Sequence, residues 1–181
     1  MTSNPDKAGE AAGILGVDVK NVALDLPEPQ ALDVARVAVA KVAAARETLA
    51  EPGSLVLVED SGLVFEAWNG LPGAFTKWFL RSVGNEGLLK MLSPYEDRSA
   101  RAVCAVAVAE PDGAVRVFVG EVEGSIAPEP RGAGGFGWDP IFIPVGQAKT
   151  YAELGPLKQE DSHRARAFKA AREVLRVGLE A

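Results

Sequence analysis

Ser99-Ala100-Arg101-Ala102-Val103-Cys104-Ala105-Val106-Ala107-Val108-Ala109 and, beyond Pro111-Asp112-Gly113, Ala114-Val115-Arg116-Val117-Phe118-Val119-Gly120-Glu121-Val122-Glu123-Gly124 decide the fold. Two valine-rich runs around a Pro-Asp-Gly turn read as a long antiparallel hairpin. Upstream, Leu55-Val56-Leu57-Val58 has no polar face, which marks a buried strand. Leu63–Phe65 reads as a second strand after it, with short strands at Asn21–Leu24 and Ile141–Ile143. Helices fill the gaps. One starts at the N-cap Asn4, with Pro5 in the first position and Asp6 at the positive end of the dipole, and stops at Gly16. Others run from about Asp33 to Leu49, over Phe75–Ser82 and Glu86–Leu92, and from near Ser162 to about Val177. The expectation is an α/β fold with a mixed sheet.

The chain's 181 residues favour one domain, or two lobes sharing a core. Its 48% hydrophobic content with interspersed charges excludes a disordered chain. A net charge of -6 argues against a binder of nucleic-acid backbones, although locally gathered cations can hold a small anion. The single cysteine, Cys104, lies in an apolar run and reads as core; alone it excludes a disulfide framework and a Cys-rich zinc site. No apolar run reaches the ~18 residues of a membrane span, and the first residues contain no apolar signal region. These features predict a soluble, cytoplasmic protein with no membrane or nucleic-acid partner.

Three places set polar residues against the pattern. At ~100° per residue, Lys41 lies about 20° from Val34 and 40° from Ala45, on the apolar face of its helix. Either its amine snorkels to water, or it reaches an anion at the edge of the core. Glu59-Asp60 closes the apolar strand before Ser61-Gly62. Carboxylates there either begin a solvated turn or sit where α/β sheets bind ligands. Being adjacent, they point to opposite faces and do not share one role. With Glu28 from the turn Leu26-Pro27-Glu28-Pro29, they offer hard oxygens that suit Mg²⁺. Finally, His163 and Arg164 occupy the first turn of the last helix, opposing its dipole. Either they curl back to water, or an anion or carbonyl-rich ligand docks there.

The remaining signals are weaker. Phe136, among Gly132, Gly134, Gly135 and Gly137, either anchors a satellite core or stacks a base. Lys77 and Lys158 read as surface lysines unless a ligand gathers them.

Several segments in this order carry a resemblance that covers nearly the whole chain: Thr2-Ser3-Asn4-Pro5-Asp6-Lys7, Leu26-Pro27-Glu28-Pro29-Gln30, Val58-Glu59-Asp60-Ser61-Gly62-Leu63 and Gly70-Leu71-Pro72-Gly73 to Lys77-Trp78-Phe79. They continue with Gly135-Phe136-Gly137-Trp138-Asp139-Pro140, Thr150-Tyr151-Ala152-Glu153 and Ser162-His163-Arg164. The chain resembles the inosine/xanthosine triphosphate pyrophosphatases, house-cleaning enzymes that hydrolyse deaminated purine nucleoside triphosphates. The resemblance implies an elongated mixed sheet flanked by helices, of the anticodon-binding-like α/β kind, in two lobes around a central nucleotide cleft. It implies Mg²⁺ as cofactor and a homodimer.

By resemblance, triphosphate falls to Thr2, Ser3, Asn4, Pro5, Asp6 and Lys7, with Lys41, Ser61 and Lys77 near the phosphates. Glu28 matches a magnesium ligand, and Asp60 the residue that binds metal or activates water. Asp60 and Lys41 are the expected catalytic pair, and Phe136, Gly137, Trp138, Asp139, Lys158, His163 and Arg164 the nucleoside pocket. Two departures accompany the match. Only Met1 precedes Thr2 where the family has an apolar strand, and Ser3 replaces the family's loop glycine. Two other functions are set beside this one: pyrophosphatase of other modified nucleotides, and a non-catalytic purine-nucleotide sensor. Retention of both Glu28 and Asp60 favours catalysis.

Overall fold

The structure is a computed structural model that describes residues 11–16, 19–50 and 53–179. Among the described residues, four α-helices after residue 16, α1 (Val34–Leu49), α2 (Thr76–Leu92), α3 (Tyr151–Leu154) and α4 (His163–Leu179), accompany five strands. These are β1 (Val56–Phe65), β2 (Pro72–Gly73), β3 (Ser99–Ala109), β4 (Val115–Ile126) and β5 (Phe142–Pro144), in the order β2-β1-β3-β4-β5. Residues 11–15 are also helical, and Gly16 closes them with an N–H bond to the Ala12 carbonyl. The expected start of that helix at Asn4 lies outside the described residues.

The hairpin is where its sequence puts it, with β3 paired to β4 from Ser99↔Ser125 to Ala109↔Val115. Three expectations need correction. Every pairing among the described residues is antiparallel, so the sheet is not mixed. Turns reverse the chain between β1 and β2 and between β3 and β4, whereas α2 with its flanking loops carries it from β2 to β3, which run in the same direction on either side of β1. Leu55–Val58 and Leu63–Phe65 are not two strands, because β1 runs unbroken through Glu59-Asp60-Ser61-Gly62. Its ladder with β3 extends from Val56↔Ala109 to Phe65↔Ala100, which satisfies the backbone of the polar residues and outweighs their turn chemistry. Asn21–Leu24 is not a strand. This segment belongs to an irregular stretch, and Leu24 and Leu26 are held by packing against the core instead.

Alternation along β3 distributes the helices. Val103, Ala105 and Ala107 face α1, where Val34, Ala38, Val42 and Ala45 are buried with Val56 and Val58. Cys104, Val106 and Val108 face the other way, against Ala167, Phe168 and Ala171 of α4 and Leu15. Each fully buried valine contributes about 1.5–3 kcal/mol. A third cluster, with Leu63, Phe65, Leu88, Leu92, Ile141, Phe142 and Tyr151, fills the far end of the sheet.

Both long helices that flank the sheet have legible starts. Asp33 caps α1, its Oδ1 accepting from Ala35 N and Arg36 N. Ser162 does the same for α4, its hydroxyl accepting from Ala165 N. Gly120 lets α4 approach β4: a Cβ there would stand 2.0 Å from the His163 carbonyl and 2.4 Å from Ala167 N. A small residue on the sheet thereby fixes the position of His163.

Candidate active site

The sheet presents Glu59 and Asp60 to opposite faces, as adjacent strand residues must. On the α1 face, Lys41 Nζ donates to Asp60 Oδ1 at 3.1 Å and to Glu28 Oε1 at 2.9 Å. Lys41 is therefore neither snorkelled to water nor without a counter-charge. Lys77, from the first turn of α2, stands 4.0 Å from the same Glu28 oxygen and is 53% exposed. On the opposite face, Arg164 Nη2 pairs with Glu59 Oε2 at 2.7 Å, both side chains buried. Neither carboxylate begins a solvated turn.

The pairing sets the charges. Burial draws the Lys41 pKa down, but Asp60 first and Glu28 with it outweigh this and hold the ammonium above its ordinary value. Burial likewise draws Glu28 up, and Lys41, then Lys77 and Arg81, hold its carboxyl below the usual value. Lys41 is thus a fixed cation and no proton acceptor near neutrality.

These groups line a cavity of about 680 Å³, whose walls also include Ser61, Leu80, Arg81, Phe136 and Trp138. The two aromatics come from the glycine-rich loop. Asp139 is 2% exposed and accepts from Phe136 N through Oδ2, at 2.9 Å. Both of its oxygens also accept from Lys158 Nζ at 2.7 Å. That ammonium stands 4.9 Å from the Phe136 ring centroid and 5.1 Å from that of Tyr151. His163 stacks on Tyr151 with centroids 5.9 Å apart and meets Trp138 at 6.0 Å. A capping box places Tyr151: the Thr150 hydroxyl accepts from Glu153 N, and the Glu153 carboxylate accepts from Thr150 N.

The expected site residues therefore fall into two groups. Glu28, Lys41, Asp60, Ser61 and Lys77 line the cavity together with Phe136 and Trp138, whereas Gly137, Asp139, Lys158 and His163 do not line it; Asp139 and Lys158 contact Phe136, and His163 contacts Trp138. Arg164 does not line the cavity and is instead paired with Glu59. Thr2, Ser3, Asn4, Pro5, Asp6 and Lys7 lie outside the described residues. Sequence reasoning missed Arg81, although it is one helical turn after Lys77 and so on the same face. It also passed over Tyr151 as the ring that stacks on His163, a pairing that only the fold brings about.

This is an α/β protein in whose cleft two carboxylates converge on one ammonium and two aromatic rings, Phe136 and Trp138, share the lining. The chain belongs to the Ham1 family, whose pattern it matches over residues 1–174. It is 45% identical over 175 residues to a dITP/XTP pyrophosphatase of Ignicoccus hospitalis, covering 93% of this chain and 90% of that one. An inosine triphosphate pyrophosphatase of Tuber melanosporum is also 45% identical, over 178 residues, with 96% and 93% covered. Among solved structures, the Ham1 protein of Staphylococcus aureus superposes with a TM-score of 0.83 at 30% identity, covering 98% of this chain and 96% of that one.

Proposed function

We propose that this chain hydrolyses dITP, XTP and ITP to the monophosphate and pyrophosphate, with Mg²⁺ as cofactor. The observation that carries the reading is Lys41 held between Glu28 and Asp60 in a cavity that Phe136 and Trp138 also line. The charged cluster suits phosphates and the rings a flat base. Relatives named for these activities share 40–46% of their residues with nearly the whole chain.

Breaking a phosphoanhydride needs positioning and neutralisation of charge more than covalent catalysis. Lys41 and Lys77 supply fixed positive charge where the phosphates lie, and Lys41 also holds Asp60 in place. Asp60 accepts the proton of the attacking water or orients it. Mg²⁺ fits the donor set, since two carboxylates share one edge of the cavity and this ion takes only one or two protein carboxylates, leaving its other positions to water and phosphate. Glu28 and Asp60 would hold it, and it would add positive charge on the phosphate oxygens.

Phe136 and Trp138 stack the base, and the Asp139–Lys158 pair fixes their loop. His163 and backbone N–H groups face the 6-keto oxygen, with Arg164 next in the chain paired with Glu59. A 6-amino group there leaves such donors unpaired, a mismatch that can reject an analogue by ~10⁴ or more. Two lobes around this cleft, a homodimer and a cytoplasmic location complete the proposal, carried by the family resemblance.

The test is to incubate the protein and Mg²⁺ with dITP, XTP, GTP, ATP or dUTP and to measure pyrophosphate and monophosphate. Pyrophosphate from dITP and XTP, with ATP and dUTP slower by orders of magnitude, is expected. Orthophosphate with a diphosphate would overturn the cleavage position, and tight dITP binding without turnover would make the chain a sensor.

A further inference from the structure

Helix α2 is broken once, at Gly84, with φ 67° and ψ -175°. This backbone region is essentially closed to residues other than glycine. The next residue, Asn85, donates from Nδ2 to the Gly137 carbonyl at 2.9 Å, across 52 residues of chain. Gly137 separates Phe136 from Trp138, the two aromatics of the cavity wall. The half of α2 before the break brings Lys77 and Arg81 to the same cavity. One helix thus touches both the cavity and the loop that bears its aromatics, and its direction changes between the two contacts.

The Asn85 contact has a defined orientation. Its Oδ1 is buried without a hydrogen-bond partner among the described residues, so the Gly137 bond is what fixes the amide. Turning the amide over would press one carbonyl oxygen against another. The loop it holds is rich in glycine, and a chain with so little intrinsic preference needs external ties to keep one shape. At its base the loop has the Asp139–Lys158 pair. Between the two aromatics it has Asn85, on Gly137.

We propose that Asn85 is a positioning residue that latches the Phe136–Trp138 loop in its base-receiving form. The proposal rests on the function proposed above. Asn85 touches no reacting atom, so it acts on how well the base is received and leaves the rate of bond cleavage alone.

Asn85→Asp keeps the shape, removes the donor and sets a negative charge against the carbonyl; Asn85→Ala removes the whole contact. Hydrogen–deuterium exchange over residues 131–138 of the ligand-free protein should quicken about 3- to 10-fold in both variants, the worth of one net hydrogen bond. KM for dITP should rise by a similar factor, with kcat within about twofold. Unchanged exchange in both variants overturns the latch. So does quickened exchange throughout the chain with a fall in Tm, or a kcat that falls in step with the rise in KM. Failure of the unmodified protein to turn over dITP counts against the proposed function alone, because the exchange measurement needs no substrate.

Discussion

Two lysine–carboxylate clusters serve the site, one lining its cavity and one in contact with the Phe136 loop, and they are built differently. Lys158 has both oxygens of Asp139, which in turn accepts the Phe136 N–H, and the pair is 13% and 2% exposed. Each charge is answered by a single partner in a closed arrangement, suited to fixing a loop. Lys41 is instead shared between single oxygens of Glu28 and Asp60, which come from different parts of the chain and are 31% and 14% exposed. That cluster opens on the cavity and offers a charge pattern that a phosphate or a metal can join. Burial and closure thus separate a pair that holds structure from a cluster free to do chemistry.

Asp60→Asn is the strongest way to break this contrast. The change keeps the size of the side chain and removes its charge, so turnover of dITP should fall by about 10³-fold, within the range of a lost general base. The Tm should move little, because Lys41 keeps Glu28. Pyrophosphate release and a thermal melt on one preparation decide it, and a variant that keeps its rate ends the catalytic role.

Asp139→Asn should do the reverse. Leaving Lys158 buried without its counter-charge should cost about 3–5 kcal/mol of stability, as for other broken buried pairs. For a chain of this size that is a Tm lower by roughly 6–20 °C. Below its Tm the variant should retain most of its kcat. A stable Asp139→Asn protein with no turnover would place Asp139 in the chemistry and remove the contrast.

The difference between the clusters also explains what sequence can reveal. Asp33 announces the start of α1, and the helical wheel puts Lys41 on its inner face, so a cation at the edge of the core is legible from local pattern alone. The limits of β3 follow from its run of small and β-branched residues. Glu59-Asp60-Ser61-Gly62 misleads because turn propensity is local, whereas the ladder with Val103–Val106 that keeps it extended comes from a distant hairpin. The counter-charges of the two acids are hidden for the same reason: Lys41 lies 19 residues from Asp60, and Arg164 reaches Glu59 from the last helix. Asn85 gives no local signal either, since its partner is 52 residues away.

The smallest expected effect concerns pH. In the open cluster, burial opposes both charges, yet ion pairing wins for each. Glu28 is held below its ordinary 4.5, so its contribution to stability is present above that value and is lost as pH falls through the lower folded one. Lys41 is held above its ordinary 10.5, so its contribution is complete below that value and is lost as pH rises through the higher folded one. Between these limits the pair carries constant charge. Glu28→Gln and Lys41→Met should each shift the Tm of the ligand-free protein by an amount that does not vary from about pH 6 to 9, with the difference from the unmodified protein shrinking only outside the limits. A difference that changes sigmoidally near pH 7 would mean that one of these groups titrates there, and that the cluster is not the fixed charge array its geometry describes.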